Sequence, residues 1–327
     1  MNATVLRAGF LTTVQDLGRT GFRRLGVSLG GALDAHAMRV ANLLVANDEN
    51  SAGLETTMGT LRLRFADERL VAWCGDQFEV RMNDGPFPAG RVARIEANEE
   101  LQMTAPQSGA RAWLAISGGI DAPLVLGSRS TDLRGKFGGH EGRALKEGDT
   151  LPLGRSSAHA DRLAESLRET RIAEWGVHAE WAGSARRAGF LRVVQGAQRD
   201  RFSADTHRKF VLEPFVVTAQ SDRMGIRLEG PPLENSDQAD LVSEAVAPGT
   251  IQVPPSGNPI LLLGDCQTIG GYSKIAHVIT VDMPVAAQLR PGHSIRFHEV
   301  SLAEAHQLLL GREDELARFR TGMQLRA

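Results

Sequence analysis

Residues 60–65 have the sequence TLRLRF, in which apolar and charged side chains alternate. Because successive side chains of a β-strand point to opposite faces, this alternation predicts a strand with one buried face and one exposed face. Further apolar or alternating runs lie between turn-forming residues and also predict strands: LVAWCG (70–75), ARAWLAI (110–116), FLRVVQG (190–196), PILLLG (259–264) and HSIRFHEV (293–300). The chain is therefore predicted to be mainly β.

Helical periodicity is confined to a few segments. Asp34 is a candidate N-cap for a helix in which Met38, Ala41 and Leu44 share one face. Ser301 and Glu304 form a Ser-x-x-Glu capping box that predicts a C-terminal helix. Residues 156–185 are rich in Ala, Arg and Glu and predict a helical or mobile linker. Strands with few helices favour β-barrels over an alternating βαβ sheet.

An internal repeat predicts two related domains. RTGFRRLG (19–26) and RMGIRLEG (223–230) share an Arg-x-Gly-apolar-Arg-x-x-Gly pattern. Two weaker similarities follow in the same order, TTMGTLRLRF with PPSGNPILLL and VARIEANEELQM with AAQLRPGHSIRF. Their consistent order favours a duplication. We expect a first domain at 1–155, the linker at 156–185, and a second domain with the C-terminal helix at 186–327.

Composition and charge exclude several classes of partner. With 37 Lys and Arg residues against 39 Asp and Glu residues, the formal charge of −2 argues against nucleic acid as a partner. No segment approaches the ~20 apolar residues of a membrane span, and the N-terminus lacks the pattern of a signal peptide. Two cysteines, Cys74 and Cys266, suit a reducing compartment. We therefore expect a cytoplasmic protein that contacts neither membrane nor nucleic acid.

Several familiar catalytic patterns are missing from the sequence. It contains no phosphate-binding loop, no Gly-x-Gly-x-x-Gly, no His-Glu-x-x-His and no Cys-x-x-Cys. The segment GHEGRAL (139–145) places one His beside one Glu in a glycine-rich loop, which is a weak metal signal and more typical of a solvated turn. We expect no metal site.

Three polar, glycine-rich loops are the candidate binding elements: 126–145, 218–230 and 243–278. Taken singly, each is most simply a connection between strands, with Gly, Asp, Asn and Ser serving the turns. Together they supply amides, hydroxyls, one Asp-Arg pair and one lysine. Such groups suit a small polar substrate that carries a carboxylate or an amide.

Five segments resemble the biotin-dependent carboxyltransferase family, whose members include the C subunit of 5-oxoprolinase, the KipA-type proteins and part of urea carboxylase. The segments are TTVQDLGRTGFRRLGV, LGSRSTDLRGKFGGHEGRALKEGD, SDRMGIRLEGPPL, APGTIQVPPSGNPILLLGDCQTIGGYSKIAHVI and LRPGHSIRF. The resemblance extends over nearly the whole chain, from about residue 4 to about residue 305. It implies two cyclophilin-like β-barrel subdomains, in agreement with the repeat.

The resemblance also implies a site. Its Gln-Thr-x-Gly-Gly-Tyr segment faces the substrate cleft in the family, and we assign catalytic roles to Gln267, Tyr272 and Lys274 as donors to a developing oxyanion. We expect Arg223 to anchor a substrate carboxylate. The other expected substrate contacts are Gln220, Asp222, Gln252, Ser256, Thr268, Gly270 and Gly271. Cys266 is interpreted as a buried apolar residue and not as a nucleophile.

Three functions are compatible with this resemblance. The first is a component of an ATP-dependent 5-oxoprolinase complex, with ATP bound on a partner; the implied partners resemble the A subunit and the B subunit (KipI-type) of 5-oxoprolinase. The second is a carboxyltransferase for urea or a related amide. Because the sequence has no Met-Lys-Met motif, biotin would then be carried on another chain. The third is a KipA-type regulatory protein that binds a partner without catalysis.

Overall fold

The computed structural model describes residues 1–83, 85–105, 109–183, 189–235 and 241–326. Contacts divide the chain into two units. Unit 1 comprises Met1–Arg19, Gly30–Arg186 and Glu315–Ala327, and unit 2 comprises Thr20–Leu29 and Arg187–Asp314. The segment predicted as a linker lies within unit 1, and unit 2 includes a short segment from near the N-terminus.

Unit 1 contains eleven of the strands in the described part of the chain. They are β1 (Asn2–Ala8), β2 (Leu11–Gln15), β3 (Gly53–Thr57), β4 (Thr60–Phe65), β5 (Arg69–Gly75), β6 (Glu79–Met82), β7 (Gly85–Pro86), β8 (Val92–Ile95), β9 (Glu100–Thr104), β10 (Arg111–Ile116) and β11 (Thr150–Pro152). One sheet has the order β11-β1-β4-β9-β6-β7 and the other has the order β2-β3-β10-β5-β8.

Strand β4 shows why the alternating sequence forms a strand. Leu61, Leu63 and Phe65 are fully buried, whereas Arg62 and Arg64 point outward and bind Glu100 on the neighbouring strand β9. The buried side chains join a core that receives residues from both sheets of unit 1. Burial of the apolar face stabilises the strand, and the exposed ion pairs add little.

Helices cover the outer face of the second sheet. Helix α1 (Ala35–Leu44) begins at the predicted N-cap, where the side chain of Asp34 accepts a hydrogen bond from the backbone N–H of Ala37 at 2.9 Å. Helices α2 (Ala158–Ser166) and α3 (Ala179–Ala182) follow. Strand β5 is buried along its whole length because one face contacts the core of the two sheets and the other contacts these helices.

Unit 2 is built on a closed barrel, which confirms the predicted fold class. Its order is β12-β19-β16-β17-β14-β13-β20, and a separate two-stranded ribbon is formed by β15 and β18. The bounds are β12 (Phe190–Gln195), β13 (Phe215–Val217), β14 (Gly225–Glu229), β15 (Glu244–Ala245), β16 (Thr250–Val253), β17 (Ile260–Leu262), β18 (Ile269–Gly270), β19 (Ser273–Val278) and β20 (Ser294–Glu299). The helices are α4 (Ala204–Leu212), α5 (Met283–Ala287) and α6 (Leu302–Gln324), of which α6 belongs to unit 2 up to Asp314 and to unit 1 from Glu315 onward.

The structure agrees with the expected C-terminal helix but gives the two segments of the repeat different local structures. The C-terminal helix is confirmed, and Ser301 accepts a hydrogen bond from the backbone N–H of Glu304, as the capping box predicts. The two segments of the repeat, however, differ in local structure: 19–26 contains a 3₁₀ turn at Arg23–Leu25, whereas 223–230 contains strand β14. Strands of unit 1 form two sheets and not one closed ring.

No helix in the described part of the chain combines the length and the apolar character that a membrane span requires.

A buried carboxylate supports the loop before β11. Asp149 accepts hydrogen bonds from both terminal nitrogens of Arg143, at 2.7 and 2.9 Å, and from the backbone N–H of Lys146 at 2.8 Å. The hydrogen bonds from Arg143 lower the pKa of Asp149 to about 2. Because the folded protein binds this proton less tightly than the unfolded chain, the interaction stabilises the fold at neutral pH.

We expect Asp149→Asn to reduce the free energy of unfolding by about 2 kcal/mol at pH 7. The difference between wild type and variant should shrink as the pH falls from about 4 towards 2, because the carboxylate of the unfolded wild-type chain takes up a proton in that range while the folded protein holds it ionised until about pH 2. Urea unfolding at several pH values measures it. Asp200→Asn removes an exposed carboxylate outside this network and is the matched control. A difference that stays constant down to pH 2 would contradict this account.

Candidate functional site

A row of side chains crosses three strands of the unit 2 barrel. Ile260 on β17 is the register partner of both Arg227 on β14 and Gln252 on β16. Directly opposite residues on neighbouring strands share a face of the sheet. The preceding row, Ile226, Leu261 and Ile251, is buried and fills the barrel. Alternation therefore places Arg227, Ile260 and Gln252 on the outer face.

This outer row forms the floor of a pocket of about 200 Å³. The loop before β14 and the loop before β19 complete the wall. The lining residues are Gln220, Asp222, Met224, Gly225, Arg227, Gln252, Ile260, Leu262, Gln267 and Tyr272. The pocket thus brings together five residues that the sequence predicted: Gln220, Asp222, Gln252, Gln267 and Tyr272.

Hydrogen bonds orient the amides of the pocket. Gln252 is only 1% exposed; its Oε1 accepts from Nε2 of Gln267 at 3.4 Å, and its Nε2 donates to the carbonyl of Tyr272 at 3.5 Å. Gly270 is needed for this arrangement, because a β-carbon there would lie 2.7 Å from Nε2 of Gln252. The phenol of Tyr272 remains 46% exposed at the pocket.

The structure gives the two arginines of RMGIRLEG different surroundings. Arg223 is 4% exposed, and its guanidinium pairs with Asp265 through Nε to Oδ2 at 2.9 Å and Nη2 to Oδ1 at 3.1 Å. It does not line the pocket, so the structure does not place it as the expected carboxylate anchor. Arg227 does line the pocket, and among the described residues its guanidinium has no hydrogen-bond or ion-pair partner.

Arg227, which lines the pocket, was not among the residues predicted from the sequence. The available signal was its position in GIRLE, where Ile226 and Leu228 alternate with it and predict that its side chain leaves the barrel core.

Lys274 lies beside the pocket but not in its lining. It is the register partner of Gln252 across an irregularity in the β16–β19 pairing, and its Nζ donates to Glu244 at 2.6 Å. Gln198 also donates to this carboxylate, at 3.0 Å. The hydrogen bond from Lys274 lowers the pKa of Glu244. The ammonium is thus held by the β15–β18 ribbon.

The remaining predicted residues shape the loops. Asp222 accepts hydrogen bonds from the backbone N–H groups of Met224 and Gly225 and fixes its own turn. Ser256 is exposed in the turn between β16 and β17. The carbonyl of Thr268 accepts from Val246, and Gly271 packs near the carbonyl of Leu241. Of this group, only Asp222 lines the pocket.

Cys266 is completely buried, and desolvation raises the pKa of its thiol. A neutral buried thiol is a poor nucleophile, which supports its interpretation as an apolar residue.

Nearby, Arg23 donates to the carbonyls of Val246 and Gln267. These hydrogen bonds connect the 3₁₀ turn of unit 2 to the loop that carries Gln267.

Within the ranges that the structure describes, no cluster of His, Cys, Asp and Glu is arranged to hold a metal ion.

The sequence matches a known family. The model of the carboxyltransferase domain, subdomain A and B, covers residues 25–299. This chain belongs to that family.

Two relatives of similar length share the family. The chain is 40% identical to the C subunit of 5-oxoprolinase from Escherichia coli K12 over 315 residues, which cover 96% of each protein. It is 35% identical to the C subunit of 5-oxoprolinase from Haemophilus influenzae over 296 residues, 90% of each protein. The structure of Kluyveromyces lactis urea carboxylase is similar over 98% of this chain, with a TM-score of 0.87 and 28% identity. This chain corresponds to 29% of that larger protein.

We expect Arg223→Met to reduce the free energy of unfolding by about 3–5 kcal/mol, because it leaves the buried carboxylate of Asp265 without its cationic partner. Arg227→Met makes the same chemical change at an exposed side chain, and the expected effect is within about 0.5 kcal/mol. Urea unfolding of both variants tests the distinction. Equal destabilisation would show that the Arg223–Asp265 pair is not the structural element described above.

Proposed function

We propose that this chain is a component of an ATP-dependent 5-oxoprolinase complex, which converts 5-oxo-L-proline to L-glutamate. The observation that carries the proposal is the match to the C subunit of Escherichia coli 5-oxoprolinase over 96% of both chains. The role of this chain within the complex is to bind the substrate or its activated intermediate.

The unit 2 pocket suits the chemistry of 5-oxoproline, a five-membered lactam that carries a carboxylate. Arg227 offers a guanidinium to the carboxylate and forms charge-assisted hydrogen bonds with it. The amides of Gln252 and Gln267 and the phenol of Tyr272 offer hydrogen-bonding groups to the lactam. Ile260 and Leu262 provide an apolar surface for the ring methylenes.

Opening a lactam places negative charge on its oxygen. Preorganised donors that meet this oxygen lower the barrier, because their orientation requires no rearrangement during the reaction. We assign that role to Gln267 and Tyr272. Lys274, held by Glu244 beside Gln252, contributes positive potential from behind the amide pair.

ATP is assigned to a partner protein. The sequence contains no phosphate-binding loop, and the pocket volume of about 200 Å³ lies below the ~300–1,000 Å³ typical of small-molecule sites. The proposed partners are one protein that resembles the A subunit of 5-oxoprolinase and one that resembles its B subunit (KipI-type). No phosphoryl-transfer step is assigned to residues of this chain.

Similarity to Kluyveromyces lactis urea carboxylase supports a second candidate function, carboxyl transfer to urea or a related amide. The same donors would then stabilise the anion of the acceptor amide, and biotin would be carried on another chain. Two observations separate these functions. A 5-oxoprolinase releases glutamate, whereas a carboxyltransferase transfers a carboxyl group to the amide and requires a biotinylated partner. A KipA-type regulator would give neither product.

We expect the purified chain alone to show no 5-oxoproline hydrolysis and no ATP hydrolysis, and the complex reconstituted with both partners to release glutamate. Glutamate formation and ADP formation are measured with and without each partner protein. Turnover by the isolated chain would contradict the assignment of ATP to a partner.

In the reconstituted complex, Arg227→Met should raise KM for 5-oxoproline roughly 10- to 150-fold, since a hydrogen bond to a charged group is worth about 1.5–3 kcal/mol. Arg208→Met removes an exposed arginine on α4 and is the matched control, with KM expected to stay within about twofold. An unchanged KM for Arg227→Met would remove Arg227 from the site.

Tyr272→Phe and Gln267→Ala remove the two assigned donors. Loss of a donor to the oxyanion should lower kcat roughly 100- to 1,000-fold with the fold retained. Lys274→Met removes the positive charge behind the amide pair and should also lower kcat. Cys266→Ala is the control and should keep wild-type kcat, because the thiol is buried and neutral. Full activity of the Tyr272, Gln267 and Lys274 variants, or an inactive but folded Cys266→Ala, would reject this assignment.

A further inference from the structure

Unit 1 contains a second cavity, of about 470 Å³, which has a different character from the pocket of unit 2. Its walls are apolar side chains that include Val14, Ile120, Val125, Phe137 and Leu151, and the loop 138–142 borders it. The volume lies within the ~300–1,000 Å³ range of small-molecule sites. A small lactam would leave most of this space unfilled.

The walls of the cavity are held in place by buried polar contacts. The guanidinium of Arg19 is fully buried and stacks over the ring of Phe137, with Cζ 4.7 Å from the ring centre. Arg19 also donates to the carbonyl of Val125 at 3.1 Å and to the carbonyl of Ser130. Asp132 and Phe137 exchange two backbone hydrogen bonds, at 2.9 and 3.3 Å. The cavity is therefore formed before any ligand binds.

The loop 138–142 is closely packed against its neighbours. A β-carbon at Gly139 would lie 1.9 Å from Oγ1 of Thr131, and one at Gly138 would lie 2.2 Å from the carbonyl oxygen of Ser130. Both glycines have positive φ, a conformation that other residues rarely adopt. The loop consequently packs its backbone closely against Ser130 and Thr131, and its residues 138–142 border the cavity.

A small polar edge borders the mostly apolar cavity, at the loop 138–142. Gly139 and Gly142 donate their backbone N–H groups within the loop region, but the N–H groups of Gly138, His140 and Glu141 have no acceptor among the described residues. The imidazole of His140 also lines the cavity.

The nearby carboxylates already have partners. Glu141 and Asp149 both accept hydrogen bonds from Arg143, and Asp149 also lies 3.4 Å from Nε2 of His140. A ligand at this edge therefore meets donors that need an acceptor, and it meets no carboxylate that is free to bind a cation.

We propose that this cavity binds a small carboxylic acid with an apolar body of about 10–15 non-hydrogen atoms, the size that a cavity of this volume encloses. The apolar body packs against Val125, Phe137 and Leu151. The carboxylate accepts hydrogen bonds from the free N–H groups of the 138–142 loop and from His140. This site is separate from the proposed 5-oxoproline pocket, and it binds a different class of ligand.

The test uses the isolated chain and two probes with the same apolar body, a phenyl ring and three methylenes: 4-phenylbutyrate and 3-phenylpropylamine. Isothermal titration calorimetry should show saturable one-to-one binding of the acid, and at least tenfold weaker binding of the amine. Val125→Trp fills the cavity and should remove binding of the acid. Val216→Trp introduces the same side chain at an exposed position on β13 and should leave the affinity unchanged.

Three results would overturn the proposal: no binding of the acid, equal affinity for the acid and the amine, or wild-type affinity in Val125→Trp. Thermal melts verify that the variants fold. Should Val125→Trp fail to fold, Pro123→Trp at the exposed rim blocks the cavity instead, and undiminished binding to that variant would count against the site in the same way. Because the assay measures binding to the isolated chain, its failure leaves the proposed 5-oxoprolinase role untouched.

Discussion

The register of the unit 2 barrel is the constraint on which the candidate site depends. Pairing of β14, β17 and β16 aligns Ile226, Leu261 and Ile251 inside the barrel, and the same register aligns Arg227, Ile260 and Gln252 outside. A shift of one residue would exchange the two rows and bury a guanidinium in the core. Burial of the apolar row therefore also fixes the positions of the polar groups in the pocket.

Local sequence patterns predicted the strands and the helix cap. They did not predict the surroundings of the two arginines, which depend on contacts with residues distant in sequence. Alternation in TLRLRF and the cap at Asp34 depend on neighbours in sequence, and both were confirmed. The roles of Arg223 and Arg227 depend on Asp265, which lies 42 residues beyond Arg223 and captures its guanidinium. Sequence spacing carries no information about that pair, so the sequence could not distinguish the arginine that pairs with Asp265 from the arginine that lines the pocket.

The repeat illustrates a similar limit. Gly59 and Gly257 both adopt positive φ between consecutive strands, and Asn98 and Gly292 do so before a strand. These aligned positions share a backbone requirement, which explains part of the similarity. The Arg-x-Gly-apolar-Arg pattern has no such common cause, since one copy forms a 3₁₀ turn and the other a strand. Turn positions are thus better evidence for the duplication than the longest shared motif.

The exposure of the unit 2 pocket bears on why such a protein would need partners. Arg227 and Tyr272 are both exposed to solvent, and charge-assisted contacts in water are weakened by its high dielectric constant. A partner that covers these side chains would exclude water and strengthen each hydrogen bond to a bound carboxylate or oxyanion. The buried amide of Gln252 in the same pocket is already oriented by Gly270 and Tyr272. The chain therefore supplies a preorganised floor, and the strength of its electrostatic contribution depends on what closes over it.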